Sequence, residues 1–159
     1  MEGDAGTGRA QAATVIDIAA GTDADLDAIV AIERQSFPVP WSEAAFRAEI
    51  ERPWARLDVA RFAGQIAAYC NYWLVPDEIH IHSIATLPSL QRRGIAAALL
   101  DHVLQQAGRA GCGRALLEVR ASNAGALRLY ERAGFATLHI RPRYYGDNDE
   151  DAVVMTRRL

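Results

Sequence analysis

The chain has 159 residues, half of them hydrophobic, and its seventeen basic residues are all arginine, set against twenty acids for a net charge of −3. One domain is the expectation, at about 100–200 residues per domain, and a core of that size needs no disulfide staple. The near-neutral balance argues against broad nucleic-acid binding, which needs clustered positive charge, and no apolar run approaches the about 20 residues that cross a bilayer.

Met1 to Ala13 are small and polar, carry two acids and lack an apolar stretch, so a disordered tail is expected there rather than a signal peptide. Residues 14–159 are then expected to form a single domain. Val15–Ile18 reads as a short strand. Thr22–Gln35 places Leu26, Ile29, Val30 and Ile32 at helical spacing behind Thr22 or Asp23 as a cap. The prolines of Phe37-Pro38-Val39-Pro40-Trp41 break the chain, and Ser42 caps a short helix to about Ile50. Strands follow at Arg56–Ala60 and Gln65–Leu74 around Gly64, and at Ile79–Thr86, where Ile79, His80, Ile81 and His82 alternate. Ile95–Ala107 is rich in alanine and leucine and reads as a helix, Ala115–Val119 as a strand, and Asn123–Ala133 as a helix stopped by Gly134. Phe135–Ile140 and Ala152–Thr156 close the chain as strands. The class is α/β or α+β, a mixed sheet with about four helices. Cys70 and Cys112 fit no metal or redox spacing and read as free buried thiols, in keeping with a reduced, cytoplasmic setting.

The most informative local feature is the strand Ile79–Thr86, then Gln91-Arg92-Arg93-Gly94-Ile95-Ala96, then a helix. Glycine lets backbone approach a ligand closely, and the first amides of a helix have no intrahelical acceptor, which suits a pyrophosphate. Arg92 and Arg93 add charge at the mouth. The pattern is neither a P-loop nor a dinucleotide fingerprint. Those six residues alone fit a glycine-led helix start equally well.

With the C-terminal half included, the sequence resembles the GNAT superfamily of N-acetyltransferases, and within it the bacterial RimI-type enzymes. The superfamily's Q/R-x-x-G-x-G/A signature matches Gln91 to Ala96. A longer, more specific stretch matches in Leu117-Glu118-Val119-Arg120-Ala121-Ser122-Asn123, then Leu129-Tyr130-Glu131, then Gly134-Phe135. Arg143-Tyr144-Tyr145, Asp151-Ala152 and Met155 look like the same family's tail. Phe37-Pro38 and Trp41-Ser42-Glu43 match an upstream element, with Val39-Pro40 as an insertion. The resemblance covers nearly all of the chain from about residue 15.

The resemblance implies a GNAT fold, a mixed central sheet of six or seven strands flanked by about four helices. It also implies acetyl-CoA as cosubstrate, with no metal. The backbone of Ile84, Ala85 and Thr86 would pair with the pantetheine arm, and the amides of Arg92, Arg93, Gly94, Ile95, Ala96 and Ala97 would carry the pyrophosphate. Asn123 would help hold coenzyme A, with Glu118 as general base and Tyr130 as general acid. Trp41 and the Tyr144-Tyr145 pair, the latter on a loop, would wall a peptide groove. The usual acceptor of such enzymes is the N-terminal amine of a ribosomal protein beginning with alanine. Ala96 stands where many relatives carry a second glycine, and is tolerable at a helical φ.

The chemistry needs these residue types. An α-amine of pKa about 7.7–8.0 attacks a thioester only when neutral, and a carboxylate removes its proton. Leu116, Leu117 and Val119 flank Glu118, and an apolar setting would raise its proton affinity. Strand N–H groups near Ile84 would meet the developing oxyanion, and Tyr130 would protonate the departing thiolate. Each residue also has a plainer reading. Glu118 and Arg120, two apart on a strand, suit a charge network, and Tyr130 suits a packed core position. His80 and His82 lack a third ligand and read as groove-lining residues ahead of a zinc site. Two other functions remain open from sequence: acetylation of lysine side chains or a small amine, and a non-catalytic acyl-CoA-binding module.

Overall fold

The computed structural model describes residues 15–159; the expected tail, residues 1–13, lies outside them. In chain order the described residues form β1 Asp17–Ala20, α1 Leu26–Ser36, α2 Glu43–Glu51, β2 Ala55–Phe62, β3 Gln65–Val75, β4 Glu78–Thr86, α3 Ile95–Arg109, β5 Arg114–Arg120, α4 Ala124–Arg132, β6 Ala136–Tyr145 and β7 Glu150–Arg158. Single 3-10 turns stand before α1, at Asp23–Asp25, and after β4, at Pro88–Leu90. The seven strands share one sheet in the order β1-β2-β3-β4-β5-β7-β6, all neighbours antiparallel except β4 and β5.

Local signals account for the helix ends. Ser42 accepts a hydrogen bond from the Ala45 N–H at 3.2 Å and Asn123 accepts one from Ala126 at 3.1 Å, so each satisfies an amide that the first turn leaves free. The 3-10 turn begins at Thr22, whose N–H is held by the Asp25 carboxylate at 2.9 Å; α1 proper starts only at Leu26.

The two faces of the sheet carry two cores. Ile95, Leu99, Leu100, Val103 and Leu104 of α3 pack with Ile79, Ile81, Leu117 and Val119, and Tyr130 and Phe135 join them from the α4 side. On the opposite face Leu26, Ile29, Val30 and Ile32 of α1 and Phe46 of α2 cover Leu57, Val59, Tyr69 and Ala85. Each Leu, Ile, Val and Phe among them contributes about 1.5–3 kcal/mol on full burial, so the helices are held by the sheet rather than by propensity alone. Both cysteines are free and buried, as expected.

Two expectations need correction. The last two strands are longer than the spacing suggested; β6 is an edge strand exposed along nearly its whole length and so has no buried alternation to read, and β7 extends past its buried centre at both ends. Pro142 lies inside β6, where an edge strand tolerates a residue with no N–H to donate. Tyr144 and Tyr145 therefore end β6 instead of lying on a loop, with Tyr145 paired to Glu150 across the hairpin.

Candidate active site

The parallel ladder between β4 and β5 joins Glu78–Ile81 to Arg114–Leu117 and goes no further. Beyond it β4 stays paired with β3 as far as Thr86, and β5 with β7 as far as Arg120. The strands part between these points, leaving each with one unpaired backbone edge facing a gap. A bulge marks the parting: Tyr72 pairs with Ile81 and Asn71 with Ser83, so His82 has no partner in β3.

A cavity of about 250 Å3 opens at this gap. Its wall includes Glu118, Asn123, Tyr130, Ile84, Trp41 and Tyr145, six of the residues singled out from sequence. Ala85 and Thr86 lie further along the same β4 edge, both buried, and the Thr86 hydroxyl is sealed without a partner. Tyr144 is not on the cavity wall; its ring packs edge-on to Tyr145 at 5.2 Å and lies under Arg141 at 5.5 Å.

Alternation along β5 sends Ala115, Leu117 and Val119 into the α3 core and turns Glu118 and Arg120 to the opposite face. The apolar setting expected of Glu118 is therefore not the one it has. Its carboxylate faces Arg141 Nε at 3.4 Å, and the side chain keeps 31% of its exposure. Arg120 lies over the Tyr145 ring at 4.0 Å and bonds Asp147 at 3.1 Å, so it pins the β6–β7 hairpin beside the cavity. The charge network read as the plainer alternative is present, and it forms part of the cavity wall.

Tyr130 is the one buried residue of α4, 6% exposed, with its ring edge-on to Phe135 at 5.9 Å. Burial pushes its hydroxyl well above the usual phenol range, so it stays protonated at any physiological pH. Asn123 spends its side-chain oxygen on the α4 cap, which leaves its NH2 group for a ligand.

The turn before α3 lies apart from this cavity. Arg92 and Gly94 both have left-handed backbone, φ 62° and 77°. The first helical bond there runs from Ala98 N–H to the Gly94 carbonyl at 3.0 Å, so the amides from Arg92 to Ala97 precede any helical acceptor. A Cβ added at Gly94 would meet no protein atom within 4 Å, so the outer face of the turn is open. Curved runs of free N–H groups of this kind are anion cradles. Arg93 leans over the Phe62 ring at 5.8 Å.

Glu33 was not among the sequence candidates. It lies on the cavity wall, buried at 3% exposure, and burial raises its carboxyl above the ordinary range. The signal was present in the sequence: Glu33 continues the apolar face set by Leu26, Ile29 and Val30, where a leucine would be ordinary. His82 and Ser83 also line the cavity, and His82 packs against Trp73 at 4.4 Å. Among the described residues no cluster of three metal-ligating side chains occurs, and no helix is long and apolar enough to cross a membrane.

A mixed seven-stranded sheet that splays in its middle, beside an amide-lined turn, is the architecture of a particular class of acyl-transfer enzyme. The acetyltransferase (GNAT) family model matches residues 26–135, and the chain belongs to that family. The [ribosomal protein bS18]-alanine N-acetyltransferase of Escherichia coli K12 is 38% identical over 133 residues, covering 82% of this chain and 89% of that one. The N-alpha-acetyltransferase RimI of Mycobacterium tuberculosis is 36% identical over 148 residues, covering 89% and 92%. The crystal structure of the Escherichia coli ribosomal-protein-S18-alanine N-acetyltransferase superposes with a TM-score of 0.84 at 35% identity, over 91% of this chain and 94% of that one.

Proposed function

We propose that the protein transfers an acetyl group from acetyl-CoA to the N-terminal α-amine of a protein beginning with alanine, a ribosomal protein being the first candidate. The observation that carries this reading is the meeting of Glu118, Asn123, Tyr130 and Ile84 on one cavity at the point where β4 and β5 part. The names of the Escherichia coli and Mycobacterium tuberculosis relatives support the acceptor. Residues 14–159 serve in this reading as one acetyltransferase domain, which the single seven-stranded sheet and the family match over residues 26–135 support.

The residues present fit coenzyme A. The free amides of Arg92, Arg93, Gly94, Ile95, Ala96 and Ala97 suit a pyrophosphate, and the unpaired edge of Ile84, Ala85 and Thr86 suits the amides of a pantetheine arm. The Asn123 NH2 group is a further donor. When bound, acetyl-CoA supplies an acetyl group activated as a thioester. The carboxylate of Glu118 takes a proton from the acceptor ammonium, directly or through a water, and Arg141 at 3.4 Å orients that carboxylate. Backbone N–H groups near Ile84 stabilise the developing oxyanion, and the Tyr130 hydroxyl, holding its proton because it is buried, delivers it to the departing sulfur. Trp41 and Tyr145 line the cavity on the acceptor side of this reading, and Tyr144 backs Tyr145 edge-on.

Glu118→Gln is expected to slow the reaction most at low pH, where more of the acceptor is ammonium. The deficit narrows above the amine pKa of about 7.7–8.0, where the free base is already abundant. A pH–rate profile parallel to wild type removes Glu118 from the base role.

The acceptor is tested with two peptides, one starting with free alanine, the other N-blocked with an internal lysine. An α-amine ionises about 2.5 units below a lysine side chain, so at neutral pH far more of it is nucleophilic. Mass spectrometry at matched concentration is expected to find the first peptide acetylated much faster. Equal rates, or a preference for lysine, leave a generic acetyltransferase; normal coenzyme A binding with no amine turned over leaves a binding module.

A further inference from the structure

One wall of the cavity is the proline-broken segment 37–41, which joins α1 to α2 and contributes Phe37, Pro38, Val39 and Trp41 to the lining. Such a segment has no ladder to set its position, and Val39 is 64% exposed. Glu33 ties it down. One carboxylate oxygen accepts the Trp41 N–H at 3.0 Å, and the other accepts the hydroxyl of Tyr69 on β3. Tyr69 is fully buried on β3, the strand paired with β4, whose Ser83 lies beside the bulge on the cavity wall. A buried polar line thus runs from the loop, through Glu33 of α1, to β3, which pairs with β4 along the cavity.

Among the described residues Glu33 forms no ion pair. Burying a carboxylate without a cation is costly, and a leucine would complete the apolar face of α1 without that cost. Charge-assisted bonds to two donors on different elements give the carboxylate something a leucine cannot do: fix a loop relative to a strand. We propose that Glu33 is a positioning residue for the acceptor, setting the Phe37–Trp41 wall against β3 through Tyr69 so that the cavity is preformed for a peptide N-terminus. This rests on the acceptor reading above.

Glu33→Ala and Tyr69→Phe are expected to raise the KM for an alanine peptide by about tenfold or more, the scale of a lost charge-assisted bond, while acetyl-CoA affinity stays within about twofold of wild type. Glu33→Gln can accept the Trp41 N–H with its carbonyl and donate to Tyr69 with its NH2, so it is expected to restore most of the KM. Hydrogen exchange at the Trp41 amide is expected to accelerate in Glu33→Ala and Tyr69→Phe and not in Glu33→Gln.

The proposal is overturned if folded variants keep the wild-type peptide KM, or if acetyl-CoA affinity falls as far as peptide affinity. It is also overturned if Glu33→Gln is as impaired as Glu33→Ala, since the charge itself would then be the function. Should Glu33→Ala not fold, Tyr69→Phe carries the same test, because it removes one hydroxyl from outside the cavity lining. A wild-type enzyme that ignores the alanine peptide defeats the acceptor reading by itself, and the variants are then scored on the amine it does acetylate, with exchange at Trp41 deciding the tie independently.

Discussion

Tyr130→Phe is expected to lower turnover by about 10²–10⁴-fold, the usual contribution of a general acid, while leaving acetyl-CoA affinity near wild type. The substitution is well suited to separate chemistry from packing. A phenylalanine keeps the ring that meets Phe135 edge-on at 5.9 Å and the burial that joins α4 to the sheet. Only the hydroxyl goes, which burial keeps protonated and so able to act as a donor. In the proposed reaction that donor acts only on the departing sulfur, so the loss belongs in kcat with little change in the acceptor KM. A loss within about threefold would make Tyr130 a core residue that happens to line the cavity.

Gly94→Val is expected to weaken acetyl-CoA by about tenfold or more, through two effects that a control separates. A valine at φ 77° is strained by about 1–3 kcal/mol, and its side chain projects into the open face of the turn where the amides would meet a pyrophosphate. Gly64, in the turn between β2 and β3, has nearly the same φ of 81° and equally open surroundings. Gly64→Val therefore carries comparable backbone strain away from the proposed site. Calorimetry is expected to find coenzyme A affinity reduced in the folded Gly94 variant and unchanged in the Gly64 variant, with similar losses in melting temperature. Unchanged affinity in Gly94→Val overturns the turn assignment, and equal losses in both variants reduce it to general destabilisation.

What the chain specifies by itself is what neighbouring residues decide among themselves. Helical spacing over Leu26–Ile32 and Ile95–Ala107, the caps at Ser42 and Asn123, and the glycine that opens α3 all act within about four residues, and each is where its local chemistry put it. The family motifs belong to the same category, being short runs such as Gln91–Ala96 and Leu117–Asn123 whose side-chain types carry the resemblance directly.

The tertiary structure decided what depends on strand order and on contacts far apart in the chain. No local pattern says that the β4–β5 ladder stops at Ile81 and Leu117, yet that stop creates the gap on which the whole site is built. Glu118 is flanked by apolar residues in sequence, but the two-residue alternation of a strand sends them to the other face and gives the carboxylate to Arg141 on β6. Tyr144 and Tyr145 end a strand past a proline because β6 is an edge, a fact fixed only when seven strands find their order. Glu33 is an oddity on an apolar helix face until Tyr69, 36 residues away, and Trp41 close on it. Pairings of this kind follow from how the sheet brings distant segments side by side, and that arrangement is a property of the packed whole.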